Sequence, residues 1–134
     1  MRFPFSPLKK PLSDCRLALV TTGGVHLPEQ PRFDIDDFAG DCSYREISLD
    51  AGKLTWTHAY YPRPGQEEED LNCVFPLQTM RELESEGIIG ELNYRHFSFV
   101  GAIHDLTPLA ERTAPEVAEK LASDRVDAVL LTPS

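Results

Sequence analysis

Two continuous apolar runs lie near the ends of the chain, and both close on small or polar residues. Residues 15–22 read CRLALVTT and residues 126–132 read VDAVLLT. Neither alternates apolar with polar, as a strand with one wet face would. Short runs of this kind predict strands covered on both faces, as in parallel sheets. Gly23-Gly24 follows the first run at once, the usual turn at the opening of an α/β unit. Between the runs a helical period appears. Met80 and Leu83 follow Leu77 at spacings of three, behind a Pro76 whose missing N–H is not needed in a first turn. Gly87 stands where a left-handed carboxy-terminal cap belongs.

Residues 96–101, HFSFVG, predict a further strand, approached through residues 91–94. Thr113-Ala114-Pro115-Glu116 has the form of a capping box, and the helix behind it would bury Val117, Ala118 and Leu121. Strand, helix and strand between residues 96 and 132 imply a right-handed parallel crossover. Residues 44–49 and 54–60 read as two short strands around a turn at 50–53. Residues 25–43 read as a loop crossing the carboxyl edge of the sheet, and 62–70, PRPGQEEED, as an acidic loop. The fold class expected is α/β: a mostly parallel open sheet flanked by helices, Rossmann-like, with long loops at the carboxyl ends of the strands. A proline-rich arm at 1–14 precedes a single domain at 15–134.

Composition narrows the function. The 134 residues suit one domain, and 41% are hydrophobic, enough for a core. The net charge of −9 opposes binding to phosphate backbones, so no nucleic-acid partner is expected. No apolar run approaches the roughly 18 residues of a membrane span. The first ten residues carry Pro4 and Pro7 and lack a signal-peptide core, which points to the cytoplasm. Cys15, Cys42 and Cys73 are odd in number and widely spaced, as reduced thiols are.

In open α/β sheets, sites gather at the carboxyl ends of strands, here residues 21–24 and 132–134. Gly23-Gly24-Val25-His26 could be a ligand loop with His26 as acid, base or anchor, or equally a strand-ending turn with an exposed histidine. It is not a GxGxxG fingerprint, and no dinucleotide site is expected. Asp41, Cys42, Ser43 and Arg45 could grip a carboxylate, Arg45 through paired hydrogen bonds. The alternative is a turn in which Asp41 and Ser43 satisfy backbone groups. His58 could meet Asp70 and Asn72 ahead of the helix, an acid fixing an imidazole tautomer, or Asp70 and Asn72 could simply cap. His104-Asp105 is another polar pair. No HxH, HExxH or CxxC spacing supports a metal, and no GxSxG elbow is present.

Taken in order, several segments add up to a family resemblance. They are LVTTGGVHLPEQPRFD, GDCSYREI, His58 with DLNCVFPL at 70–77, EGIIGEL, HFSFVGAIHD, APEVAEKL and VDAVLLTPS. Together, over residues 15–134, they resemble selenoprotein B, the substrate-side redox subunit of the glycine, sarcosine, betaine and D-proline reductases. The resemblance implies reductive cleavage of a small amino-acid-like substrate, with electrons from a thioredoxin-like dithiol. It implies a partner subunit carrying a pyruvoyl group, and no cofactor in this chain. In similar proteins the last strand runs into a CxxU or UxxC motif followed by a helix. Ser134 stands where that motif would begin, so the expectation is a selenocysteine codon, UGA, directly after it.

A chalcogen at a helix start would be favoured as the nucleophilic anion. Residue type and neighbourhood then place His26, His58, Asp70 and Asn72 around it as catalytic groups. Gly23, Gly24, Asp41, Ser43 and Arg45 would bind substrate. The 134 residues alone would be redox-silent, because no cysteine has a vicinal partner; Cys42 is the one internal thiol worth testing as a substitute. Loss of a downstream helix would expose Val129 and Leu131 and favour a homodimer. Two other readings stand beside this one: a non-catalytic assembly domain docking a partner subunit, and a metal-dependent hydrolase using His26, His58 and His104.

Overall fold

In the computed structural model, which describes residues 4–60 and 70–134, the first apolar run becomes β1 (Arg16–Thr21), the centre of a mixed sheet. Chain order continues with β2 (Val25–His26), β3 (Arg45–Ser48), β4 (Thr55–Trp56), α1 (Leu77–Ser85), β5 (Glu91–Leu92), β6 (Arg95–Ser98), α2 (Ala114–Ser123) and β7 (Ala128–Thr132). The second apolar run, β7, lies parallel to β1 from Leu17↔Ala128 to Thr21↔Thr132. On the other side of β1, β5 pairs with its first half and β6 with its second, both parallel. They form one strand interrupted at Asn93, whose N–H still donates to the Leu17 carbonyl at 2.8 Å. β3 closes that side, antiparallel to β6. The α/β class therefore holds, with one antiparallel strand in the sheet.

Two apolar layers sandwich the sheet. Because side chains alternate along β1, Leu17 and Leu19 join Phe75, Leu77, Met80 and Ile89 on the α1 face. Val20 turns the other way, toward Phe97, Phe99, Val117 and Leu121 on the α2 face. Each fully buried Leu, Ile or Phe contributes roughly 1.5–3 kcal/mol relative to exposure. Helix α1 ends as its sequence predicts, with Gly87 at φ +73 just past the cap.

Several expectations need correction. Residues 54–60 give only the two-residue β4, and it pairs with β2, inside the stretch read as a loop, rather than with 44–49. Gly24 makes this ladder possible. It sits at φ +67, and a Cβ there would lie 2.1 Å from the Thr57 carbonyl oxygen. The capping box at Thr113 does not form. The helical stretch starts earlier, at Thr107, and runs through a π turn, Leu109–Thr113, so Thr113 is already helical and makes no cap hydrogen bond. Strand β7 is shorter than its apolar run and lies at the sheet edge. The acidic stretch 62–70 lies outside the described residues except for Asp70.

Candidate functional site

The carboxyl ends of β1 and β7 are tied to the segment before α1 by hydroxyl groups. Thr21 Oγ1 donates to the Val74 carbonyl at 2.7 Å, and Thr132 Oγ1 donates to the same oxygen at 2.6 Å. Gly23 N–H donates back to Thr21 Oγ1 at 3.0 Å, and Ser134 N–H to Thr22 Oγ1 at 3.0 Å. One carbonyl thus receives a hydroxyl from each of two neighbouring strands, which fixes the turn Leu71–Cys73 above the sheet end. Beneath that turn lies a cavity of about 420 Å³ lined by Gly23, Trp56, Asp70, Leu71, Cys73, Val74 and Pro133. Cys73 is the exposed thiol, whereas Cys15 and Cys42 are buried. Asp70 takes its capping role, accepting the Asn72 N–H at 2.9 Å, and Asn72 lines the neighbouring cleft with Arg81.

The two central histidines differ in what they can do. His26 is buried, with Nδ1–H donating to the Leu27 carbonyl at 2.7 Å and Nε2 accepting from the Thr57 hydroxyl at 2.9 Å. Both nitrogens serve the loop. His58 is also buried, and its Nδ1 accepts the Tyr60 N–H at 3.2 Å, so in the neutral ring the proton sits on Nε2. Burial lowers its pKa and favours that neutral form. A Cβ placed on Gly101 would be 3.3 Å from His58 Nε2, 3.0 Å from the Ser134 carbonyl oxygen and 3.7 Å from that of Thr22. The proton-bearing nitrogen of His58 therefore lies where β7 releases the chain.

The expected carboxylate grip is largely satisfied from within. Arg45 Nε donates to Pro31 O at 2.8 Å, Nη1 to Ser43 Oγ at 2.9 Å and to Tyr44 O at 3.2 Å, and Nη2 to Arg32 O at 3.2 Å. Its guanidinium also stacks over Phe33, 4.2 Å from the ring centre. Asp41 accepts the N–H groups of Ser43 and Asp34, both at 2.8 Å, and the Ser43 hydroxyl. Partial burial raises its pKa, but these donors and Arg45 outweigh that and hold it below the usual range. Asp41, Ser43 and Arg45 form a strut for residues 31–45. His104 stands apart, stacked on Phe38 at 5.3 Å. Among the described residues, no three His, Cys, Asp or Glu side chains come together as a metal site. His26, His58 and His104 therefore do not form a ligand set.

Reading the sequence for acids, bases and ligands missed Thr21, Thr132, Cys73 and Gly101. The available signal was the recurrence of threonine at the close of both apolar runs, since a hydroxyl can bind a carbonyl that the sheet ladder no longer reaches.

Residues 2–134 match the family described as glycine/sarcosine/betaine reductase selenoprotein B. The chain is 40% identical over 130 residues to the D-proline reductase subunit gamma of Acetoanaerobium sticklandii, covering 96% of this chain and 52% of that protein. It is 36% identical over 137 residues to the glycine reductase complex component B subunit gamma of Symbiobacterium thermophilum, covering 98% and 31%. It is 35% identical over 143 residues to the sarcosine reductase complex component B subunit beta of Peptoclostridium acidaminophilum, covering 98% and 30%. The chain thus spans about half the length of the first of these relatives and under a third of the other two. No solved structure matches it.

Proposed function

The chain belongs to the glycine/sarcosine/betaine reductase selenoprotein B family, and from that premise we propose that it is the substrate-side part of a cytoplasmic, two-electron reductase acting on a small amino-acid-like molecule. The observation that carries this reading is the convergence of His58 Nε2, Gly101 and Thr22 on the exit of β7 at Ser134. A selenocysteine or cysteine following Ser134 would supply the nucleophile there, with electrons from a thioredoxin-like dithiol that closes to a disulfide as the substrate bond is cleaved. This chain's residues build the surroundings. Gly23 lines the cavity, and Gly24 turns the backbone away from it. Asp70 and Asn72 fix the turn that carries Cys73 over the cavity. His58 holds a proton at Nε2 next to the reacting position, whereas His26 braces β2 against Thr57. Asp41, Ser43 and Arg45 shape the loop that borders the substrate. The pyruvoyl group of the proposed reaction belongs to a partner subunit.

The reading frame after codon 134 is the first test. An in-frame UGA, or a cysteine codon, followed by a helix-forming stretch is expected. An ordinary stop with neither would overturn the redox reading. In the protein extended through that motif, His58→Gln should lower kcat by about 10²-fold or more, the usual scale for losing a placed acid or base. His26→Gln should act mainly through stability. Substantial dithiol-dependent turnover by the 134 residues alone would also defeat the proposal.

A further inference from the structure

Strand β7 has the composition of an interior strand and the position of an edge. Its outer side pairs with no strand among the described residues, and both of its faces are only partly covered. Val129 is 36% exposed, Leu130 40% and Leu131 67%. Charges, bulges or prolines usually protect such an edge, and this one has none. Beside it, on the α2 face, runs a groove of about 400 Å³ whose walls include Val20, Phe99, Ile103, Leu121, Val129 and Leu131. Small-molecule pockets carry a few convergent polar groups among their apolar ones. This groove offers little beyond Thr22, so its walls suit apolar side chains of polypeptide.

The topology says what kind of polypeptide fits. From β1 the chain crosses by α1 to β5 and β6 on one side, with α1 on one face. From β6 it crosses by α2 back over β1 to β7 on the other side, with α2 on the opposite face. Opposite directions on opposite faces have the same hand, and the right hand is almost universal for such crossovers. One more step outward from β7 continues in the direction of the β6-to-β7 step. Its helix must then lie on the α2 face, over Val129 and Leu131, where the groove is. We propose that the groove and the open edge of β7 together seat a crossover helix with an apolar face, followed by a strand added parallel to β7. Relatives twice the matched length, such as the D-proline reductase subunit gamma, carry polypeptide enough to supply such a unit. A second copy of this chain fits less well. Two chains of charge −9 repel, and pairing of β7 with itself about a two-fold axis is antiparallel and brings no helix into the groove. The inference is independent of the redox chemistry proposed above, and either can fail without the other.

A structure of the full-length D-proline reductase subunit gamma of Acetoanaerobium sticklandii tests it directly. The strand matching β7 should be interior, with a parallel neighbour outside it and a helix over the positions matching Val129 and Leu131. An open edge there, or one covered by a second copy or an antiparallel strand, overturns the proposal. The 134 residues themselves give a second reading. They should bind the apolar dye ANS in the groove, and Val129→Glu with Leu131→Glu should reduce that binding about tenfold without changing the circular dichroism spectrum. A discrete dimer by light scattering that Leu131→Glu dissolves would make the second copy the occupant and refute the crossover unit.

Discussion

The two ends of the sheet are built on opposite principles. At the amino end, charges are paired. Asp124 closes α2 with both carboxylate oxygens engaged. Oδ2 accepts Arg95 Nε at 2.6 Å and Asn93 Nδ2 at 2.9 Å, while Oδ1 accepts Arg95 Nη2 at 2.8 Å and the Tyr94 hydroxyl at 2.6 Å. Arg95 continues to Glu46 at 3.2 Å, and Glu46 to Lys120 at 3.0 Å. Lys10 meets Asp127 at 2.9 Å, and Arg16 meets Glu91 at 2.9 Å. At the carboxyl end no ion pair is made among the described residues: the hydroxyls of Thr21 and Thr132 hold the Val74 carbonyl beside a cavity lined by Gly23, Trp56, Asp70, Leu71, Cys73, Val74 and Pro133. Two of the three large pKa displacements fall at the paired end: hydrogen bonds from Arg95 drive the Asp124 carboxyl far down, and Asp124 raises Arg95, while the third, at His96, lies between the ends. A search for perturbed titration alone would have chosen the structural end. Displacement by tight, complete pairing marks a brace, whereas a site needs groups facing open space.

The sharpest way to break this contrast is Asp124→Ala. Its carboxylate is 3% exposed and Arg95 is 17% exposed. Removing the carboxylate leaves the mostly buried Arg95 with only its single ion pair to Glu46, at a cost of about 3 kcal/mol, the lower end of the range for breaking a buried pair. Urea unfolding should show a loss of that size, while the environment of Cys73 at the other end, read by its alkylation rate in the native state, stays as it was. A loss under about 1 kcal/mol, or a changed Cys73 rate, would mean that the ends are not separable in this way.

How much was legible follows from the same division. The apolar runs announced β1 and β7 because covered strands need no alternation, but the hydroxyl contacts that Thr21 and Thr132 make at their ends were not announced. Helix α1 was legible from Pro76 to Gly87. The start of α2 was not. Thr113 and Glu116 have capping-box spacing, but the helical stretch already opens at Thr107 and Pro108, ahead of the π turn, and tertiary packing of Leu109 makes that start favourable. The partnering of β4 with β2 depended on contact between the Gly24 and Thr57 backbones, which no local pattern encodes. The carbonyls of Pro31 and Arg32 that accept hydrogen bonds from Arg45 come from a loop without periodicity, so no local pattern encodes these contacts. The edge position of β7 was hidden because its composition is that of a covered strand.

The second test sits between the ends, at His96 on β6. The ring is fully buried beside Phe75, and Nδ1 accepts the Leu19 N–H at 2.9 Å. Burial, helped by the nearby Arg81, lowers its pKa to about 4 from 6.5. The unfolded chain therefore takes up a proton between those values while the folded one does not. Stability from this group is complete above pH 6.5 and is lost as pH falls toward 4, by about 3 kcal/mol. Urea midpoints across that range should show the decline, and His96→Gln, which can still accept from Leu19, should flatten it. A decline unchanged by the substitution would assign it to the carboxylates of the paired end instead.

The smallest effect tests whether hydroxyls, rather than packing, build the carboxyl end. Thr132→Val leaves the Val74 carbonyl with the Thr21 hydroxyl and should cost about 1 kcal/mol or less. Thr21→Val also removes the acceptor for the Gly23 N–H and should cost about 1–2 kcal/mol. Together they leave the Val74 carbonyl without either donor, so the double variant should lose about 1 kcal/mol more than the sum, since residues sharing one partner are coupled. Valine keeps the shape of threonine, so packing changes little and the excess isolates the shared carbonyl. The same double variant should free the turn Leu71–Cys73 and speed alkylation of Cys73 several-fold at neutral pH. Strict additivity with an unchanged rate would show that the turn is held by Leu71 and Phe75 in the core, and the cavity beneath it would then owe its shape to α1 rather than to the strand ends.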